Sequence, residues 1–249
     1  MQVHLPQRHR DYRASRDSRE KQLSILKLSP CLGVLWFKIF SQEKDNNMAQ
    51  PGERKHAILQ SLAAMLENPK GEKITTAALA ARLNVSEAAL YRHFASKAQM
   101  YEGLIEFIEQ TLFGLINKLC SEEPSGLKQV EGVIGILLGF TQKNPGMTRV
   151  LIGDVLMNED ERLQARINQL HDRLEATLRQ SLRIAAGANE IEGTQDTAII
   201  ANLLVSFVTG RWHQFAKSGF KRPPTEFWAA QWRVLSGLQQ RETGHPADG

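Results

Sequence analysis

The chain has 249 residues, 42% of them hydrophobic, enough for one large domain or two modest ones with a packed core, which excludes disorder as the default. Its two cysteines, Cys31 and Cys120, show no CxxC or Cys/His spacing, which excludes a disulfide framework and a structural zinc site and points to a reducing compartment. The formal charge of +4 sits in residues 1–47, which hold nine Lys/Arg against five Asp/Glu and leave 22 basic and 22 acidic residues in the remainder.

In that first segment "HLPQRHRDYRASRDSREKQ" is Arg-rich without an apolar period, and "LSPCLGVLWFKIF" is an apolar run of thirteen. A membrane-spanning helix needs about 20 apolar residues. This run is shorter and contains Pro30, Gly33 and Lys38, and "FSQEKDNN" after it offers no small-residue cleavage site. Residues 1–47 therefore read as a leader, disordered or a start-site artefact, with the working protein beginning at Met48 and no membrane partner expected.

From Arg54 onward the pattern is helical. Ile58, Leu62, Met65 and Leu66 share one helix face, which ends near "NPKGE". Short helices are expected within 75–96. Leu104, Ile105, Ile108, Leu112, Leu115, Ile116 and Leu119 trace a stripe along a helix over 97–120. "SEEPSG" interrupts it, "LKQVEGVIGILLGFTQK" resumes a helix, and Pro145 in "NPG" is placed to start the next. A long helix is expected over 159–186, with Leu163, Ile167, Leu170, Leu174, Leu178 and Leu182 as its buried seam. Two apolar helices, 195–217 and 224–240, close the chain, and their aromatic-rich faces suit a dimer interface. No alternating strand pattern occurs, so the fold class is all-α.

The segment "ITTAALAARLNVSEAALYRHFASKAQM" holds three helix starts. Thr75 can cap a helix with Ile74 and Leu79 as its hydrophobic staple, Ser86 can cap the next with Val85 and Leu90, and Ser96 can cap a third with Gln99 completing a capping box. Two short capped helices joined by a tight turn make a helix-turn-helix, whose second helix enters the DNA major groove. On a helical wheel Leu90 and Phe94 face inward, Ala88 and Arg92 point away, and Ala89, Tyr91 and His93 flank them. The alanines permit close approach and thymine-methyl contact, Arg92 can donate to guanine or phosphate, and Tyr91, His93 and Lys97 can hold phosphates. Thr75 and Thr76, with free N–H groups at a helix N-terminus, read as a phosphate clamp. Residues 48–100 hold seven Lys/Arg against four Asp/Glu while 101–249 hold fifteen against eighteen, so the basic bias lies on the candidate reader.

These residues resemble the TetR-family helix-turn-helix, whose hallmark is a tyrosine, two variable residues and a phenylalanine before a Ser/Lys start to the fourth helix. "ILQSLAAMLE", "LIEFIEQTL", "LLGFTQKNPGMTRVL" and "RLQARINQLHDRLEATLRQ" extend the likeness over 52–240 to a branch of that family that acts on cell division. The resemblance implies a helix-turn-helix domain over 48–100 and a helical dimerisation domain over 101–249. It implies a homodimer on double-stranded DNA, located in the cytoplasm on the nucleoid, which there binds the division protein FtsZ and blocks ring assembly. Carried over, the DNA-reading element is Thr75 to Phe94, Ser86 included, supported by Lys97. The FtsZ-facing region is expected near Phe107, Leu138, Lys143 and Asn144. A repressor released from DNA by a small apolar ligand is the alternative. No enzyme, metal or cofactor is expected: His56, His93, His171 and His213 are far apart, "HDRLE" at 171–175 reads as a solvated helix face, and no glycine-rich phosphate loop occurs.

Overall fold

Apolar residues at 163, 167, 170, 174, 178 and 182 return to one side of a helix at every turn, and each is essentially inaccessible to solvent in the structure, a computed structural model. It describes residues 51–68, 74–157, 159–191 and 196–237, all within the unit Ala49–Gly249. The leader expected over 1–47 lies outside these residues. Among those described there are helices and no strand: α1 (Pro51–Leu66), α2 (Thr76–Arg82), α3 (Glu87–Tyr91), α4 (Lys97–Glu122), α5 (Gly126–Lys143), α6 (Pro145–Leu151), α7 (Glu161–Gly187), α8 (Thr197–Lys217) and α9 (Trp228–Gly237).

The heptad-spaced seam makes α7 the centre of the body. It packs against α8, α5 and α4, and α5 in turn meets α4, α6, α8 and α9. From α4 the core receives Met100, Leu104, Ile105, Ile108, Leu112 and Ile116, and from α5 Val130, Val133, Ile134, Leu137 and Leu138. Gly126 lets α5 start against α7: a Cβ there would stand 2.3 Å from the Ala185 nitrogen and the Ser181 carbonyl oxygen. A polar knot fixes the same corner, where the buried Gln129 donates to the Glu123 carbonyl at 2.7 Å and accepts from Ser181 at 2.9 Å. Cys120 lies beside it, half-buried, and burial pushes its thiol pKa up.

The smaller bundle α1–α3 sits on α4 and α6. Gly146 sets the approach: a Cβ on it would lie 2.0 Å from the Ala63 carbonyl oxygen of α1. Arg149 of α6 reaches the Leu66 and Asn68 carbonyls beyond the end of α1, each at 3.4 Å. Pro145 occupies the first turn of α6, as its missing N–H and fixed φ favour.

Two local expectations need correction. The last helix begins at Trp228 rather than 224, because Phe227 adopts φ 64° and the preceding loop is tied down elsewhere. Arg211 of α8 donates to the carbonyls of Pro223, Pro224 and Glu226 at 3.0, 3.1 and 2.9 Å, which holds 223–226 out of the helix. Residues 238–240 of the expected helix lie outside the described ones. On α8, expected only to be apolar, Leu204, Val208, Trp212 and Phe215 are buried, whereas Ile199 and Leu203 are 69% and 51% exposed. His171, assigned to a solvated face, turns inward, its ring 5.9 Å from that of Trp212. Burial lowers its pKa from the ordinary imidazole value, and the hydrogen bond to the Leu151 carbonyl opposes that shift.

Candidate nucleic-acid interface

Local hydrogen bonds build the reader. Thr75 caps α2 by accepting from the Ala78 N–H at 3.1 Å, and Ser86 caps α3 by accepting from Ala89 at 3.2 Å. Between them the chain reverses through Asn84 at φ 52°, where asparagine tolerates the left-handed region. The Asn84 N–H donates to the Ala81 carbonyl and the Val85 N–H to the Ala80 carbonyl, at 3.1 and 3.0 Å, which is the Schellman pairing that terminates α2. At the start of α4 the Gln99 N–H donates to the Ser96 hydroxyl, while the Gln99 side chain accepts from Ala95 at 2.8 Å. The reciprocal box expected at Ser96 is thus displaced by one residue.

These caps decide what α3 shows. Leu79, Leu90 and Phe94 are buried beneath the reader, and Lys55 of α1 places its ammonium 5.7 Å from the Phe94 ring centroid. Ala88, Arg92 and Ser86 are exposed, Ala89 and His93 are half-buried, and Tyr91 is 45% exposed. The surface therefore offers small residues beside one guanidinium and one phenol, which suits approach to a groove floor flanked by phosphates.

Both hydroxyls of the expected Thr75–Thr76 phosphate clamp have partners within the chain. The Thr75 hydroxyl is engaged as a cap, and the half-buried Thr76 hydroxyl donates to Glu87 at 2.6 Å. The Tyr91 hydroxyl reaches the Thr76 oxygen at 3.5 Å. Thr76, Glu87 and Tyr91 form one cluster joining α2 to α3. Lys97 also has an internal partner: it pairs with Glu159 in the link between α6 and α7 and lies 5.6 Å from the centroid of the Tyr101 ring. That phenol is buried, and burial first, then the Glu159 carboxylate, raises its pKa above the ordinary value. Glu87 and Glu159 are the residues that sequence reasoning missed. The acidic first position after the Ser86 cap was a visible signal for Glu87. Glu159 had none, since it stands 62 residues from Lys97.

The expected protein-binding region is brought together only in part. Phe107 is half-buried on α4, edge-on to His56 of α1 with ring centroids 6.1 Å apart. Lys143 is exposed at the end of α5, and Gly139 one turn earlier has open space where a Cβ would lie. Leu138 is 0% exposed and faces the core. Asn144 is buried, its amide donating to the Phe140 carbonyl at 2.7 Å. In this structure Leu138 and Asn144 shape the end of α5 from behind and offer no surface of their own.

Comparison with known proteins agrees with this geometry. Residues 71–104 match the family described as bacterial regulatory proteins, tetR family. Residues 125–240 match a SlmA-like family described as tetracyclin repressor-like, C-terminal domain. The chain is 50% identical over 186 residues to the nucleoid occlusion factor SlmA of Idiomarina loihiensis, covering 75% of this chain and 95% of that protein. It is 52% identical over 185 residues to the SlmA of Alteromonas mediterranea, covering 74% and 95%. Among solved structures, a TetR transcription regulator from Haloarcula marismortui superposes with a TM-score of 0.66 at 13% identity, covering 76% of this chain and 100% of that one, a likeness of fold.

Proposed function

Since the chain belongs to the SlmA family of nucleoid occlusion factors, built on a TetR-like fold, we propose that it binds chromosomal sites as a homodimer and there inhibits assembly of the FtsZ ring, coupling septum placement to chromosome segregation. Residues 48–100 serve as the DNA-binding part and 101–249 as the dimerisation and partner-binding part. The observation that carries the DNA reading is the doubly capped α2–turn–α3 unit presenting Ala88, Tyr91 and Arg92 outward. The protein works on the nucleoid in the cytoplasm. Among the described residues no helix is long and apolar enough to cross a membrane.

The surface meeting FtsZ lies between α4 and the end of α5, with Phe107 and Lys143 as contacts and Leu138 and Asn144 shaping it from beneath. A partly buried aromatic on α4 and an exposed cation at the end of α5 suit a peptide segment carrying apolar and acidic side chains. The test is FtsZ polymer sedimentation with the protein alone, with duplex DNA, and with a Phe107→Ala variant. DNA-loaded protein is expected to suppress polymer, and Phe107→Ala to lose about tenfold in potency while keeping its DNA affinity. Unimpeded FtsZ assembly, combined with release of DNA by a small apolar ligand, would sink this reading and favour a ligand-responsive repressor.

A second prediction concerns Lys97, whose ammonium cannot serve Glu159 and a DNA phosphate equally. Lys97→Ala should weaken binding to all duplex sequences alike and reduce the slope of log affinity against log salt by about 0.9. Glu159→Gln should tighten binding in wild type and have little effect beside Lys97→Ala. Arg92→Ala should change base preference as well as affinity. Fluorescence anisotropy across a salt series checks all three. Equal tightening by Glu159→Gln in both backgrounds would show that the carboxylate acts only as diffuse charge.

A further inference from the structure

Glu87 is a carboxylate within a surface proposed to meet a polyanion. It occupies the first turn of α3, is exposed, and stands one helical turn from Tyr91. Left to swing freely it would turn away from DNA, since phosphates repel it. The structure does not leave it free. Its Oε2 accepts the Thr76 hydroxyl at 2.6 Å, a charge-assisted bond from α2, and the same Thr76 oxygen receives the Tyr91 hydroxyl at 3.5 Å. That cluster bridges the two helices of the reader and holds the carboxylate in place on α3. Oε2 is engaged, and Oε1 retains acceptor capacity.

A carboxylate fixed there loses its hydration on docking and regains a partner only from a hydrogen-bond donor. On the major-groove floor the donors are the amino groups of cytosine N4 and adenine N6, while guanine presents acceptors, and thymine an acceptor and a methyl group. Alanines at 88 and 89 remove bulk beside it and permit close approach. We infer that Glu87 is a specificity-determining residue that accepts from the amino group of a base, cytosine above all, and rejects guanine and thymine at that position, with Thr76 as the residue that positions it. The inference rests on the reading that α3 lies in the major groove.

The test is selection from a pool of randomised duplexes by the full chain, in parallel for wild type, Glu87→Ala, Glu87→Gln and Thr76→Val. Wild type is expected to show one position per half-site where cytosine is favoured about tenfold. Glu87→Ala should lose that preference alone while binding sheared genomic duplex more tightly, since a negative charge is gone. Glu87→Gln should move the preference toward adenine, which a carboxamide can contact with both of its polar atoms. Thr76→Val should blunt the preference without changing the favoured base. Identical base preferences for wild type and Glu87→Ala at every position would overturn the inference and show Glu87 as an internal brace only. Absence of any selected sequence for wild type would overturn it together with the major-groove reading.

Discussion

Alanine at Gly146 should cost about 2–3 kcal/mol, which in a chain of this size lowers the melting temperature by about 4–12 °C. The added Cβ would stand 2.0 Å from the Ala63 carbonyl oxygen, 3.0 Å from the Ala63 carbonyl carbon and 3.1 Å from the Leu66 Cβ. A flexible side chain could swing away from such an overlap. A helix backbone cannot, so α1 must shift bodily from α6, stretching the bonds from Arg149 to the Leu66 and Asn68 carbonyls. Because α1 supports α2 and α3, the same substitution should weaken DNA binding. Gly139→Ala is the control on α5: its Cβ meets nothing within 4 Å, and the gain in helix propensity should stabilise the protein by about 0.5–1 kcal/mol. Thermal unfolding by circular dichroism, with DNA titration of both variants, checks the pair. A Gly146→Ala protein that melts like wild type would refute the close helix contact.

Aspartate at both Ile199 and Leu203 should yield a monomer that binds DNA about 10²–10⁴-fold more weakly. These residues stand four apart on α8, both more than half exposed, on the side away from Leu204, Val208, Trp212 and Phe215. In the proposed homodimer, with its interface on α8, a two-fold contact is made by the same patch from each copy, so each substitution would place its charge there twice over. The core row of α8 is untouched, and the monomer should keep its helical content. Separation of the copies releases the two readers from each other, and simultaneous binding of two half-sites is lost. Analytical ultracentrifugation beside DNA titration measures both effects. A dimer that survives both aspartates would move the interface elsewhere.

What was legible in the sequence was local. The caps at Thr75, Ser86 and Ser96 close bonds three residues away, the first turn at Pro145 depends on its own ring, and the α7 seam repeats within one helix. Hydrogen bonds and periods of this length are written in neighbouring residues, and no distant partner need be known. For the same reason the reader's outward face, Ala88, Tyr91 and Arg92, could be drawn from a wheel.

The tertiary structure decided what depends on which helices meet. It paired Lys97 with Glu159 and tied Thr76 to Glu87. It turned His171 onto Trp212 and buried Leu138, although each sits at a spacing that fits a surface or a core equally well. On α8, apolar nearly all round, composition could not say whether Ile199 or Leu204 faces inward; packing against α7 and α5 made that choice. The 224–240 helix was shortened by Arg211, whose reach across the loop overrides local helix propensity. A one-dimensional pattern determines which segments become helices and where they start, because those interactions span about one turn. The partner of a given side chain is set by the mutual packing of whole helices, a property that exists only once the chain has folded.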